Sequence, residues 1–229
     1  MAENRISRGE LNKMVFIRLI FFIPVMMVIF FLPAGTLAYW HGWVYMGILF
    51  IPFLFVIAYF LKNDPALLER RMRMREKEKN QKLIVKFSTI FFLLAFILPG
   101  LDYRWGWSHV PLALVIIADI LVLVSYGFVF RVFRENSYAS RIVEVEKEQK
   151  VISSGPYAIV RHPMYTGTII MYLFTPLALG SWWALIPALM IIPVIVARIL
   201  NEEKLLANNL AGYTEYIQKV RFRLISGVW

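Results

Sequence analysis

Six apolar windows, roughly residues 14–32, 43–61, 83–98, 110–130, 166–179 and 182–200, constrain this chain more than any other feature. An α-helix needs about 20 apolar residues to cross the hydrocarbon core of a bilayer, and most of the windows approach that length while the fifth is short. With 59% of its 229 residues hydrophobic and a positive mean hydropathy, the chain is far more apolar than a soluble domain of this size. The predicted fold class is therefore all-α, a polytopic transmembrane bundle of about five to six spans.

The basic residues test this reading independently. If the N-terminus is cytoplasmic and all six windows cross, the inside segments are the N-terminal tail, 62–82, 131–163 and everything after Leu200. Counting Arg18, Lys86 and Arg198, which lie near window ends, with the nearer side, 24 of the 25 Lys and Arg residues fall inside and Arg104 alone falls outside. Such asymmetry predicts both the spans and a cytoplasmic N-terminus. It also accounts for the net charge of +10 without nucleic acid, because basic residues next to the membrane attract anionic lipid. The outside connections, 33–42 and 99–109, carry Tyr39, Trp40, Tyr103, Trp105 and Trp107 as an interfacial aromatic belt would. Residues 1–13 are polar with no cleavage-site pattern, so the first window is expected to stay as a helix. With no cysteine, the chain has no disulfides, no thiol catalysis and no Cys-ligated metal.

The run 69–82, ERRMRMREKEKNQK, spaces acids and bases three and four apart and reads as a solvated or surface-lying helix. Prolines at 24, 52, 176, 187 and 193 fall inside apolar windows, where neighbouring helices can satisfy the carbonyls they free. The last two windows are joined by Gly180-Ser181, which predicts a tight helical hairpin that returns residues 198–203 to the face carrying 161–165.

Chemistry-bearing residues concentrate at that face. In SSGPYAIVRHPMYTG, 153–167, Gly155-Pro156-Tyr157 suits a turn at the membrane surface, and Arg161-His162-Pro163 precedes a helix with proline at its first turn. A helix N-terminus with free amides accepts an anionic group. Glu202 and Glu203 lie at the other end of a helix, where the dipole disfavours acids, so a cation must offset them. Arg198, one turn earlier, is one candidate and a positively charged ligand is another. Asp119 stands in the middle of the fourth window, where a carboxylate costs roughly 2.5–3.5 kcal/mol and marks either function or a bond to a neighbouring span. Three histidines spread through the chain argue against a metal site.

The segments GPYAIVRHPMYTG, ARILNEEKLL and AGYTEYIQKVRFRLISGVW together resemble the C-terminal half of the isoprenylcysteine carboxyl methyltransferase and phospholipid methyltransferase superfamily, integral membrane enzymes that use S-adenosylmethionine. The resemblance covers 136–229, so a membrane-spanning region of 1–135 and a catalytic region of 136–229 are expected. It implies that Lys150, Val151, Ile152, Tyr157, His162, Pro163, Met164, Tyr165 and Glu202 hold the cofactor. It also implies that Arg198 faces the acceptor's reacting group. If the acceptor is an amine, a base must remove a proton, and a glutamate or a water near Glu203 is the candidate. Ser226 stands where many relatives have proline.

The residue chemistry fits such a cofactor. S-adenosylmethionine is a zwitterion with a sulfonium cation, and it calls for a carboxylate, donors for its own carboxylate, and aromatic walls. Glu202, the amides around His162, and Tyr157 with Tyr165 can supply these in turn. The expected acceptor is lipophilic, a prenylcysteine-like carboxylate or a phospholipid amine drawn from the bilayer, and the active site is expected to face the cytoplasm. A membrane reductase resembling the sterol reductases and using NADPH is the alternative among enzymes, although the chain has no glycine-rich dinucleotide fingerprint. A transporter or scaffold is the alternative outside them, against which stands the clustering of polar residues at one face, with Asp119 alone deep in a span.

Overall fold

The computed structural model describes residues 7–72, 79–142, 145–146 and 149–229. Among these there are eight α-helices and no strand: α1 (Arg8–Ala34), α2 (Trp40–Asn63), α3 (Pro65–Met72), α4 (Lys79–Trp105), α5 (Leu112–Glu135), α6 (Pro163–Ala178), α7 (Leu185–Asn209) and α8 (Tyr213–Lys219). A single 3₁₀ turn, Gly155–Ala158, precedes α6. Five helices, α1, α2, α4, α5 and α7, are long and apolar enough to cross a membrane. Large side chains such as Phe16, Phe21, Ile51 and Val124 are exposed on their outer faces, as lipid contact requires.

The helices run past the apolar windows. Pro33 and Pro99, expected in the outside connections, lie inside α1 and α4, which shortens those connections to 35–39 and 106–111. A membrane helix tolerates such prolines when neighbours supply the missing partners. Beside Pro99, Gly100 permits the close approach of α4 to α1: a Cβ there would stand 2.8 Å from the Phe30 carbonyl oxygen. Of the predicted surface helix over 69–82, α3 and the start of α4 supply the two ends, and 73–78 lie outside the described residues.

The fifth window becomes α6, at 16 residues too short for the group of five. It starts level with Glu203 of α7, short of that helix's end, and its C-terminus reaches the other end of the bundle. At its C-terminal end the Thr175 and Tyr45 hydroxyls are 2.5 Å apart and the Tyr39 hydroxyl donates to the Leu179 carbonyl at 2.5 Å. Gly180, at φ +78°, turns the chain into α7, so the expected hairpin forms. That end, the far end, also holds Arg104, whose guanidinium lies against Gly35. At the opposite end Arg8 donates to the Leu61 carbonyl and Arg18 to the Met72 carbonyl. Helices from both halves share one bundle, with α4 against α7 and α5 against α6.

Candidate active site

His162 caps the N-terminus of α6 and Pro163 takes its first position, where the missing amide costs nothing. The strap after α8 holds this corner from behind. The amides of Arg161 and His162 donate to the carbonyls of Phe222 and Arg223, each at 2.9 Å, and the Thr166 hydroxyl donates to the Leu224 carbonyl at 2.8 Å. The amide of His162 is thus already used, which leaves the first-turn amides of Met164 and Tyr165 for the anion-accepting role expected of this segment.

Glu202 and Glu203 are about 100° apart around α7 and serve different surroundings. Glu203 is buried, 7% exposed, and turned away from the cavity described below. Its Oε1 accepts from Arg161 Nε at 2.6 Å and lies 3.2 Å from His162 Nε2, while Oε2 accepts from Arg223 Nε at 2.8 Å. Arg161 also donates to the carbonyls of Val220 and Arg221. Two guanidinium groups on one carboxylate make an anchor between α6, α7 and the strap. Glu203 therefore stands behind the wall and not at the place a general base would need.

Glu202 faces an open-sided cavity of about 840 Å³, counting the space at its mouth. Its Oε2 accepts from the Tyr165 hydroxyl at 2.8 Å, and that hydroxyl accepts from Arg198 Nε at 2.8 Å. Of the two offsets considered for Glu202, the pairing with Arg198 is present only as a relay through Tyr165. A second bond, from Arg198 Nη2 to the Arg141 carbonyl at 2.7 Å, fixes the guanidinium. Lys150, Val151 and Ile152 line the side formed by the chain after α5, and His162, Met164 and Tyr165 line the side formed by α6. Pro163 is buried and does not reach the cavity. Of the eleven residues expected at the site, nine line this one cavity, and Pro163 and Glu203 support it.

Tyr157 enters from the 3₁₀ turn. Its hydroxyl accepts from Asn136 Nδ2 at 3.0 Å, and burial pushes its pKa up to about 12, so it stays neutral. Its carbonyl accepts from the Tyr216 hydroxyl at 2.7 Å. Tyr216 and Tyr213 reach the cavity from α8, which Gly212 starts at φ +82°. The Tyr213 hydroxyl is buried and unpartnered. Such an orphan in a cavity wall calls for a ligand's polar atom.

Sequence reasoning gave no role to Asn136, Tyr213, Tyr216 or Arg223. The tyrosine pair, three apart just after a glycine, was the one local signal. Asp119, also singled out, has a buried Oδ1 without a partner and lies away from this cavity.

The family model of phospholipid methyltransferases matches residues 113–211, from the start of α5 to just past α7. Over these residues the chain is similar to the phospholipid methyltransferases. Among curated proteins, the chain is similar to the probable protein-S-isoprenylcysteine O-methyltransferases of Oryza sativa subsp. indica and subsp. japonica. Each is 28% identical over 148 residues, which cover 62% of this chain and 74% of the relative. Both matches bear out the likeness carried by the motifs. With five helices fit to cross a bilayer, the matched stretch sits in an integral, multi-pass membrane protein. The matched stretch contains Glu202, Arg198 and the α6 residues, while α8 and the strap lie beyond it.

Proposed function

We propose that this protein transfers a methyl group from S-adenosylmethionine to a lipophilic acceptor held in the membrane. The relay Arg198–Tyr165–Glu202 on the cavity wall carries this reading, because it sets a carboxylate and a guanidinium one turn apart on α7, each fixed by the same hydroxyl. The residues fit the cofactor: Glu202 offers a carboxylate to an ammonium, the first turn of α6 offers amides to a carboxylate, and Tyr157, Tyr213 and Tyr216 offer faces and one unpartnered hydroxyl. When bound, S-adenosylmethionine supplies an activated methyl group on a sulfonium.

The chain itself supplies alignment. Arg198 orients the acceptor, and Tyr165 holds Arg198 and Glu202 in register so that the two reactants meet in line. A carboxylate acceptor is already ionised and needs no base. For an amine acceptor, Glu202 or a water beside it is the better-placed proton acceptor, since both oxygens of Glu203 are engaged by arginines. The basic end that carries the cavity faces the cytoplasm in this proposal, on the 24-to-1 distribution of Lys and Arg.

Equilibrium binding of S-adenosylmethionine and of NADPH to the detergent-purified protein tests the reading. S-Adenosylmethionine should bind, and Glu202→Gln should weaken it by about 1–3 kcal/mol with the fold intact, because one charge-assisted hydrogen bond is lost. Binding of NADPH in its place would favour a reductase, and binding of neither would remove the enzyme reading.

A further inference from the structure

Arg70 and Arg71 are neighbours on α3 with opposite fates. Arg70 grips Glu146, with Nε 3.0 Å from each carboxylate oxygen and Nη2 at 2.8 Å, and its Nη1 donates to the Ser137 carbonyl at 3.0 Å. Arg71 points the other way, toward the bundle. Its Nη1 lies 3.4 Å from the Ser140 carbonyl and 3.8 Å from Met164 Sδ, and its guanidinium carbon stands 4.8 Å from the centre of the Phe133 ring. None of the described carboxylates pairs with it. The cations within electrostatic reach, Arg141 and Arg198, have its own sign, and together with burial they weaken its hold on its proton. A guanidinium nevertheless stays charged, so a cation withdrawn from water here stands beside two others without an acid of its own among the described residues.

Arg71 abuts the cavity wall. Ser140 and Met164, which it touches, both line the cavity, and the Tyr165 hydroxyl to which Arg198 donates is also within its electrostatic reach. A thioether is a weak acceptor on a flexible stem, and Met164 thus occupies a place that an oxyanion would fill far better. We propose that Arg71, from α3, and Arg198, from α7, form an oxyanion subsite that holds the fixed negative group of a membrane-borne acceptor, a carboxylate or a phosphodiester. That the bound lipid is an acceptor rests on the methyltransferase reading, whereas the anion subsite does not. The cofactor's own carboxylate is the competing occupant.

Three probes decide, each titrated into the full-length, detergent-purified protein: N-acetyl-S-farnesylcysteine, its neutral methyl ester, and dihexanoylphosphatidylethanolamine. The wild type should bind the farnesylated acid, the phospholipid, or both, through Arg71. For the acid, preference over the ester should be about tenfold or more, and Arg71→Gln should bring it within about threefold. For the phospholipid, the same substitution should weaken binding by about tenfold. The probe that depends on Arg71 identifies the source of the anion. S-Adenosylmethionine affinity, measured alongside, should stay within about twofold of wild type, as for an interaction made with the acceptor alone. A loss of cofactor affinity in place of these changes would hand Arg71 to the cofactor and overturn the subsite, as would unchanged binding of both lipids. Should Arg71→Gln not fold, Arg71→Lys decides on the same comparisons, since a point charge without the planar fork should lose about threefold or more of the binding. Lipid binding that depends on Arg71 in a protein that ignores S-adenosylmethionine would keep the subsite and sink the methyltransferase reading; the reverse outcome would do the opposite.

Discussion

The two ends of the bundle each bury a carboxylate between helices, and they use it differently. At the far end Asp102, 1% exposed, accepts from the Ser108 amide at 2.8 Å and from the Ser108 and Ser181 hydroxyls at 2.5 Å each. Ser181 is itself fully buried, and the cluster clasps α4 to the α6–α7 turn with its donors and acceptors matched. At the site end the acids divide the work. Glu203 repeats the closed arrangement with arginines, while Glu202 looks into an open cavity beside an unpartnered tyrosine hydroxyl. A satisfied cluster is glue, and an unsatisfied one opposite a cavity is poised for a ligand.

The sharpest way to break this contrast is Glu203→Ala. It strands Arg161 in the interior, and the expected loss is about 3–5 kcal/mol of stability, read as a collapse of the thermal unfolding midpoint in detergent. A well-folded, stable Glu203→Ala protein that had lost only methyl transfer would return Glu203 to the chemistry. Next in size, Arg198→Lys should cut turnover on a carboxylate acceptor by about tenfold or more while S-adenosylmethionine affinity barely changes, because a lysine cannot reproduce the planar grip. Turnover at the wild-type level would remove Arg198 from the acceptor site. At the far end, Asp102→Ala should lower stability by about 1–3 kcal/mol through the stranded serine donors, well below the loss at Glu203 and with cofactor affinity unchanged. A fall in cofactor affinity there would mean that the two ends are coupled and that the division between glue and site is false.

Much of this was legible before the structure. Hydropathy and the one-sided distribution of Lys and Arg prescribe the helices because a bilayer leaves the backbone few choices. The GPYAIVRHPMYTG and ARILNEEKLL segments announced the site because their polar residues are contiguous and a short hairpin brings them to one face. Adjacency also concealed something: Glu202 and Glu203 differ in role only through the direction each leaves α7, which depends on where the strap packs. Asn136, Tyr213 and Arg223 come from segments whose approach is set by tertiary contacts. Arg71 was hidden for another reason. Inside a run of basic residues it looks like any other inside-positive charge, and only its turn toward the bundle distinguishes it from Arg70.

The brevity of α6 has a consequence for how a greasy substrate is handled. His162 at its start is level with Glu203, and α7 runs on six residues to Asn209, about 9 Å further along the axis. The floor of the cavity is therefore sunk well below the rim formed by the end of α7. Pulling a lipid chain into water costs about 0.8 kcal/mol per CH₂, which for a fifteen-carbon tail exceeds 10 kcal/mol by a rough count. On the methyltransferase reading proposed above, a cup sunk to this depth would bring the soluble donor down to the lipid, so that the tail stays in the bilayer and extraction drops out of the barrier to reaction.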